Sequence, residues 1–390
     1  MDKLLTAVEL LRLTPTDFNH SPSTSSTARS KKNTKKKAKL VVVESLESEK
    51  EYLKKYLTEI KGTTQPYKRV CLSPLRYAGG KSKAIGLILE NLPALKEKKI
   101  VSPFFGGGSF ELVLSSKLGF EVIGYDIFGM LTNFWNQAIT NPDGLADELI
   151  KFAIDKDSYT LNRHILLNYW DKIKPSTLVY NTRDKLELTE EQKTIMDTSE
   201  VMQAAYYYYN MQLSFGPMFL GWPSSIYLNK KDKYDKIVEN IRQFRPANLQ
   251  VKCDTFDNVI VNHPNDFLFL DPPYFLEGDS KMFKGMYPNC NFAIHHNGFN
   301  HALLCDLLKN HKGGFLITYN DCSTIREWYK EFKQVFPKWQ YTYGQGETRI
   351  GKNRKQDAAV ADTDPDNIKE SHEIFIICYP HIPKALAEGI

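Results

Sequence analysis

Asp271-Pro272-Pro273-Tyr274 stands directly after the apolar run DFLFL (266–270). Two successive prolines freeze the backbone behind the carboxylate. Their nitrogens carry no N–H, so neighbouring carbonyls stay free to accept hydrogen bonds. A carboxylate beside a fixed carbonyl accepts both hydrogens of an exocyclic NH2 group. That turns the nitrogen lone pair out of the ring system, ready for in-line attack. Tyr274 adds a flat face on which a base stacks, worth roughly 1–3 kcal/mol. Proline pairs also occur in plain turns after strands, so this reading needs further support from elsewhere in the chain.

Two other segments supply it. In PFFGGGSFELVL (103–114) a strand-like run meets Gly106, Gly107 and Gly108 before an amphipathic helical pattern begins. Glycines there let the chain turn sharply and let a ligand approach the backbone at a helix N-terminus. About eighteen residues later Asp126 ends the run VIGYD, where a carboxylate suits the paired hydroxyls of a nucleoside ribose. Arg76-Tyr77-Ala78-Gly79-Gly80-Lys81 then combines an aromatic face, a flexible turn and a cation, suited to an adenine ring and a carboxylate. Each segment alone also reads as an ordinary turn or surface loop.

Taken in order, RYAGGK, PFFGGG, the Asp126 strand end and DPPY resemble the Dam-like (D12 class, alpha-group) DNA adenine N6-methyltransferases. DIFGMLTNFWNQAI (126–139), KCDTFDNVI (252–260) and ITYNDCSTIREWY (317–329) extend the resemblance, which covers about residues 73 to 350. DPPY is shared with other amino-methylating enzymes; the ordered set is specific. The resemblance implies S-adenosylmethionine as cofactor, double-stranded DNA as partner and no metal. It implies that Tyr77, Gly79, Gly80 and Lys81 contact the cofactor, with Lys81 near its carboxylate. Phe104 and Gly106 to Gly108 are expected around its methionine part, Asp126 at the ribose and Asp254 near the adenine amine. Asp271 is expected beside the cofactor and, with the Pro272 carbonyl, on the target N6. Pro273 and Tyr274 complete the catalytic set, Tyr274 stacking on the base. The base itself must be flipped out of the duplex. Two departures stand out. Ser102 occupies a place where a Glu often precedes Pro-Phe, and residues 209–227 lack the arginine expected of the family's DNA-reading stretch, so GATC recognition is not implied.

Positioning these groups takes an α/β sheet. KKIVSPF (98–104), EVIGYD (121–126), LQVKC (249–253), DFLFLD (266–271), GGFLITYN (313–320) and EIFIICY (373–379) read as buried strands between helical stretches. With the resemblance, this predicts a Rossmann-like S-adenosylmethionine-dependent methyltransferase sheet. Residues 135–245 interrupt the rhythm and are rich in Tyr, Asn and Lys. They read as an inserted, mainly helical DNA-recognition domain within a catalytic domain of 67–134 and 246–390. The run Tyr206 to Tyr209 is expected on a helix, mostly as packing. Lys230, Lys231, Lys233 and Lys236 form one basic cluster, and Arg349, Lys352, Arg354 and Lys355 another. Lys230, Lys231, Lys233, Arg349 and Arg354 are the expected phosphate contacts.

Residues 1–66 form a basic, partly disordered extension. They hold 13 of the 51 Lys and Arg and 8 of the 46 Asp and Glu, leaving 38 of each sign in the rest, so the body's summed charge exerts no general pull on nucleic acid. Residues 4–13 suit a short amphipathic helix, and another is expected near 47–60. The Ser/Thr- and Lys-rich stretch 20–39 reads as a solvated linker, with a phosphate-binding arm or, in a eukaryotic cell, a nuclear-import signal as alternatives. Residues 351–371 read as a polar loop. The six cysteines form no C-x-x-C pair and read as reduced thiols; His295, His296 and His301 lack ligand-spaced partners for a metal. No apolar run approaches the ~18 residues of a membrane helix, so a soluble intracellular, DNA-associated protein is expected, with no membrane partner. A restriction enzyme acting on the same site is a possible partner. Cytosine-N4 or RNA-base methylation and an inactive DNA-binding subunit are the competing functions.

Overall fold

The computed structural model describes residues 51–63, 66–95, 97–173, 186–216, 219–275, 299–337 and 373–379. Seven strands form one sheet: β1 (Lys99–Ser102), β2 (Glu121–Asp126), β3 (Leu249–Cys253), β4 (Leu268–Leu270), β5 (Phe315–Asn320), β6 (Lys333–Val335) and β7 (Glu373–Cys378). Their order is β3-β2-β1-β4-β5-β7-β6. The first five run parallel, and β7 lies antiparallel between β5 and β6. The six expected strands are all present. β6 was not expected: Lys333-Gln334-Val335 is too short and polar to announce itself, and it exists because β7 offers it an edge.

The strand sequences explain the sheet's burial. Side chains alternate between faces; the central strands β1, β4 and β5 are buried on both, so their runs are largely apolar, whereas edge strand β3 has exposed Gln250 and Lys252. Ile100, Phe269 and Leu316 enter one buried cluster; Val101, Leu268, Leu270 and Ile317 enter the other. Helices Glu111–Leu118 and Gly129–Thr140 belong to the first face. Phe256–Asn262, His301–Lys309 and Ser323–Trp328 belong to the second. This is the expected Rossmann-like sheet. Strand order reverses between β1 and β4, which opens a crevice at their carboxyl ends.

The segment 135–245 is largely helical and shares the first cluster with the sheet. Helix Gly129–Thr140 spans the expected boundary at 135. It carries Phe134, whose ring stacks on Tyr208 at 4.9 Å, and Trp135, which meets Phe105 edge-on at 5.2 Å. All four tyrosines 206–209 are buried on helix Glu200–Leu213. Burial of a phenol requires a partner for its hydroxyl. Tyr208 donates to the Pro74 carbonyl at 3.0 Å and Tyr209 to that of Ala153 at 2.6 Å. Residues 51–59 are helical, as expected, and Leu53, Tyr56 and Ile60 join the same cluster. The readings for 4–13, 20–39 and 351–371 fall outside the described residues, as do His295, His296, Arg349, Lys352, Arg354 and Lys355. Among the described residues no helix is long and apolar enough to cross a membrane.

Gly124 in β2 ties the sheet to the glycine turn. A Cβ there would lie 2.1 Å from the Phe105 ring, which seats the turn on the strand. Gly124→Ala is therefore expected to destabilise the fold by roughly 1–3 kcal/mol through overpacking. Urea unfolding measures this, and an unchanged midpoint would show that Phe105 yields freely.

Candidate active site

β1 ends at Ser102, and the chain turns through Pro103 to Gly108 before helix Glu111–Leu118. Gly106 has φ +49°, a conformation that a side chain disfavours. A Cβ on Gly107 would lie 2.6 Å from Tyr77, so this aromatic ring and the turn's backbone meet directly. The Gly106 N–H donates to Asp126 Oδ2 and the Phe128 N–H to Oδ1, both at 3.0 Å. Trp135 Nε1 donates to the Gly106 carbonyl at 2.9 Å, fixing the turn from below. Each Asp126 oxygen keeps a further lone pair for a hydroxyl donor. Burial raises the Asp126 pKa, opposed by N–H groups of Phe128, Gly106 and Ile127. Asp254 follows β3, which pairs with β2 as far as Asp126 and Cys253; its N–H reaches the Asp126 carbonyl at 3.2 Å.

Asp271 follows β4. Lys81 Nζ lies 2.6 and 2.7 Å from its two oxygens and donates to the Gly79 carbonyl at 3.2 Å. Thr318 of β5 donates to Asp271 Oδ1 at 2.8 Å. Lys81 is only 5% exposed and Asp271 25%. Lys81 Nζ also lies 5.2 Å from the centre of the buried Tyr274 ring. It therefore contacts both the carboxylate and the ring expected from the sequence at an amino-bearing base. The Tyr274 hydroxyl donates to buried Glu373 at 2.5 Å. Asn320 clips the next residue, accepting from the Phe275 N–H at 2.8 Å and donating to its carbonyl at 2.6 Å. Phe104, Phe256 and Phe299 form an aromatic wall with centroids 5.0–5.7 Å apart.

A second buried carboxylate was not read from the sequence. Glu111, first residue of its helix, accepts from Ser102 Oγ at 2.7 Å, and both are buried. Burial pushes its pKa up to about 7; the Ser102 bond and Lys81 pull it down, and Asp271 pushes it further up. Glu111 looks in the sequence like an acid favoring a helix N-terminus. Its neighbour across the turn, Ser102, was the signal available.

The structure thus brings together Tyr77, Gly79, Gly80, Lys81, Phe104, Gly106, Gly107, Gly108, Asp126, Asp254 and Asp271 to Tyr274 along the strand ends. Lys230, Lys231 and Lys233 lie elsewhere, exposed at the start of helix Lys231–Arg242. Lys231 pairs with Asp235 at 2.7 Å. Lys233 Nζ is 6.0 Å from the Tyr227 ring, which also carries the Arg76 guanidinium at 4.1 Å. Arg76 donates to the Gln212 and Ser214 carbonyls and so joins the RYAGGK segment to a turn at 214–223. That turn presents Phe215 and Trp222, 57% and 49% exposed. His301 is occupied by the Tyr319 hydroxyl.

A family model described as D12 class N6 adenine-specific DNA methyltransferase matches residues 77–343. Among curated proteins, the chain is similar to the Type II methyltransferase M.MjaIII of Methanocaldococcus jannaschii. The two are 27% identical over an aligned stretch of 215 residues that covers 51% of this chain and 68% of that one.

The Glu111 environment has a pH signature. Its folded pKa of about 7 exceeds the ordinary 4.5, so its stabilising contribution is complete below about 4.5 and is lost as pH rises to about 7. Glu111→Gln keeps the Ser102 bond and removes the titration. Wild type is expected to lose about 3 kcal/mol relative to Glu111→Gln across that window. Unfolding free energies of the two proteins at pH 4.5, 6 and 8 measure it; parallel curves would refute the burial argument.

Proposed function

This chain belongs to the D12 class of N6 adenine-specific DNA methyltransferases, and we propose that it takes its methyl group from S-adenosylmethionine and delivers it to an adenine swung out of duplex DNA. The observation that carries this is the contact of Lys81 with both Asp271 and the Tyr274 ring, while Tyr77 of the same segment packs on the glycine turn.

The residues fit the cofactor chemically. Asp126 has lone pairs for ribose hydroxyls; Gly106 and Gly107 let the Tyr77 side chain lie directly on the turn; Tyr77 offers a ring and Lys81 a cation for a carboxylate. Asp254 stands next to Asp126 for an adenine amine. S-adenosylmethionine supplies an electrophilic methyl on a sulfonium, so attack by an amine needs no metal. Lys81 leaves Asp271 for the cofactor carboxylate, which uncovers the Tyr274 face and releases Asp271 Oδ2, while Thr318 still donates to Oδ1. Asp271 and the Pro272 carbonyl then hold the amine hydrogens, and the Tyr274 ring supports the base. Asp271 stabilises the charge that grows on N6 and need not act as a strong base. Rate arises mainly from holding nitrogen and methyl carbon in line at roughly 3–3.5 Å.

The segment 135–245 reads the DNA in this proposal. Phe215 and Trp222 face outward from a turn wired to RYAGGK through Arg76, with Lys230, Lys231 and Lys233 alongside for phosphates. Arg349 and Arg354 are proposed as further phosphate contacts. The Type II label of the archaeal relative suits a restriction enzyme sharing the same site.

Incubation with labelled S-adenosylmethionine and mixed-sequence DNA is expected to yield N6-methyladenine on nucleoside analysis. Label in cytosine, or in RNA alone, would overturn the reading. Asp271→Asn is expected to lower turnover on the order of 10²–10³-fold while calorimetric cofactor binding persists; full turnover would remove Asp271 from its role. Replacing Lys230 and Lys233 with alanine should reduce the slope of log affinity against log salt by about 1–2. An unchanged slope would take them out of the interface.

A further inference from the structure

β7 lies beyond residue 343, where the family match ends, yet it places a carboxylate on the catalytic loop. Glu373 heads this otherwise apolar strand, buried and opposite Asn320 in the antiparallel register. The pair grips consecutive residues after Pro273: Glu373 holds the Tyr274 hydroxyl at 2.5 Å, and Asn320 holds both backbone polar groups of Phe275. A tyrosine needs only a ring for a base to stack on. A buried carboxylate at its tip does more, because burying a charge is costly unless the group is bonded. A charge-assisted hydrogen bond also pushes electron density from the phenol into the ring. An electron-rich face attracts cations more strongly. The Tyr274 face already takes one, Lys81 Nζ at 5.2 Å from its centre.

We propose that Glu373 is a positioning residue for methyl transfer, fixing the Tyr274 ring by its hydroxyl and enriching its face for the positive charge that builds on the target base. This rests on the function proposed above. The N6 lone pair forms the new bond to carbon while the departing sulfur keeps the electrons of the broken one. Positive charge therefore resides on the amine until a proton is lost from N6. The base bearing that charge lies on the ring that Lys81 vacated, so one cation replaces another over the same face.

The test uses the full chain as Tyr274→Phe, Glu373→Gln and the double variant, in single-turnover methylation of mixed-sequence DNA with labelled S-adenosylmethionine. Tyr274→Phe keeps the ring and removes the bond; Glu373→Gln keeps an acceptor and removes the charge. Each is expected to slow the methyl-transfer step about ten- to hundredfold, with the KM for S-adenosylmethionine changed less than about threefold. The double variant should be no slower than the slower single one, because both act through one bond. A wild-type rate in either single variant, or multiplicative losses in the double, would overturn the proposal. A parallel cycle on urea unfolding reads the bond without activity, and absence of coupling there overturns it too. If one variant does not fold, the rate of the other still decides. A wild-type chain that yields no N6-methyladenine counts against the proposed function instead, while the unfolding cycle still judges the bond.

Discussion

A lysine ammonium with 5% of its side chain exposed must have an anion beside it, and in this protein Asp271 fills that place across 190 residues of sequence. The ion pair joins the segment that precedes the sheet to the loop after β4, and most of the crevice follows from that junction. Lys81 can reach Asp271 only if the 77–81 turn lies over the carboxyl ends of β1 and β4. That placement sets Tyr77 against Gly107, where no side chain has room. Breaking such a pair by removing one partner leaves an uncompensated charge, whereas exchanging one anion for another does not. In the function proposed above, the cofactor carboxylate and the target amine are what would replace the two halves of this pair.

Around this pair the charges are arranged by depth. Asp271 is partly open to solvent and accepts from Thr318 as well as Lys81. Glu111, behind the glycine turn, is held toward its neutral form by burial and by the nearness of Asp271. Asp126 sits at the neighbouring strand end, with N–H donors opposing the burial that raises its pKa. Three carboxylates near the strand ends thus differ in environment.

Much of this was legible in the sequence because it is local. The six strands announced themselves as short runs rich in apolar and β-branched residues, and the glycine turn, RYAGGK and DPPY each carry their chemistry within a few residues. What stayed hidden is tertiary pairing. Nothing in FELVL says that Glu111 will meet Ser102 rather than water, since a glutamate at a helix start is common on surfaces. Glu373 offered a better clue, a lone acid heading EIFIIC, but its partner lies 99 residues earlier. β6 was illegible because three residues, two of them polar, carry no periodicity. Lys230, Lys231 and Lys233 read as a cluster and are one, yet their relation to the crevice runs through Tyr227 and Arg76, which spacing does not reveal.

β7 separates β5 from β6, although both come earlier in the chain. These two strands cannot complete the sheet until residues 373–378 have left the ribosome and slipped between them. Synthesis runs at roughly 5–20 residues per second, so the sheet waits on its latest-made strand. Since that strand also carries Glu373, the loop holding Tyr274 receives its buried carboxylate only after β5 and β6 have both been made.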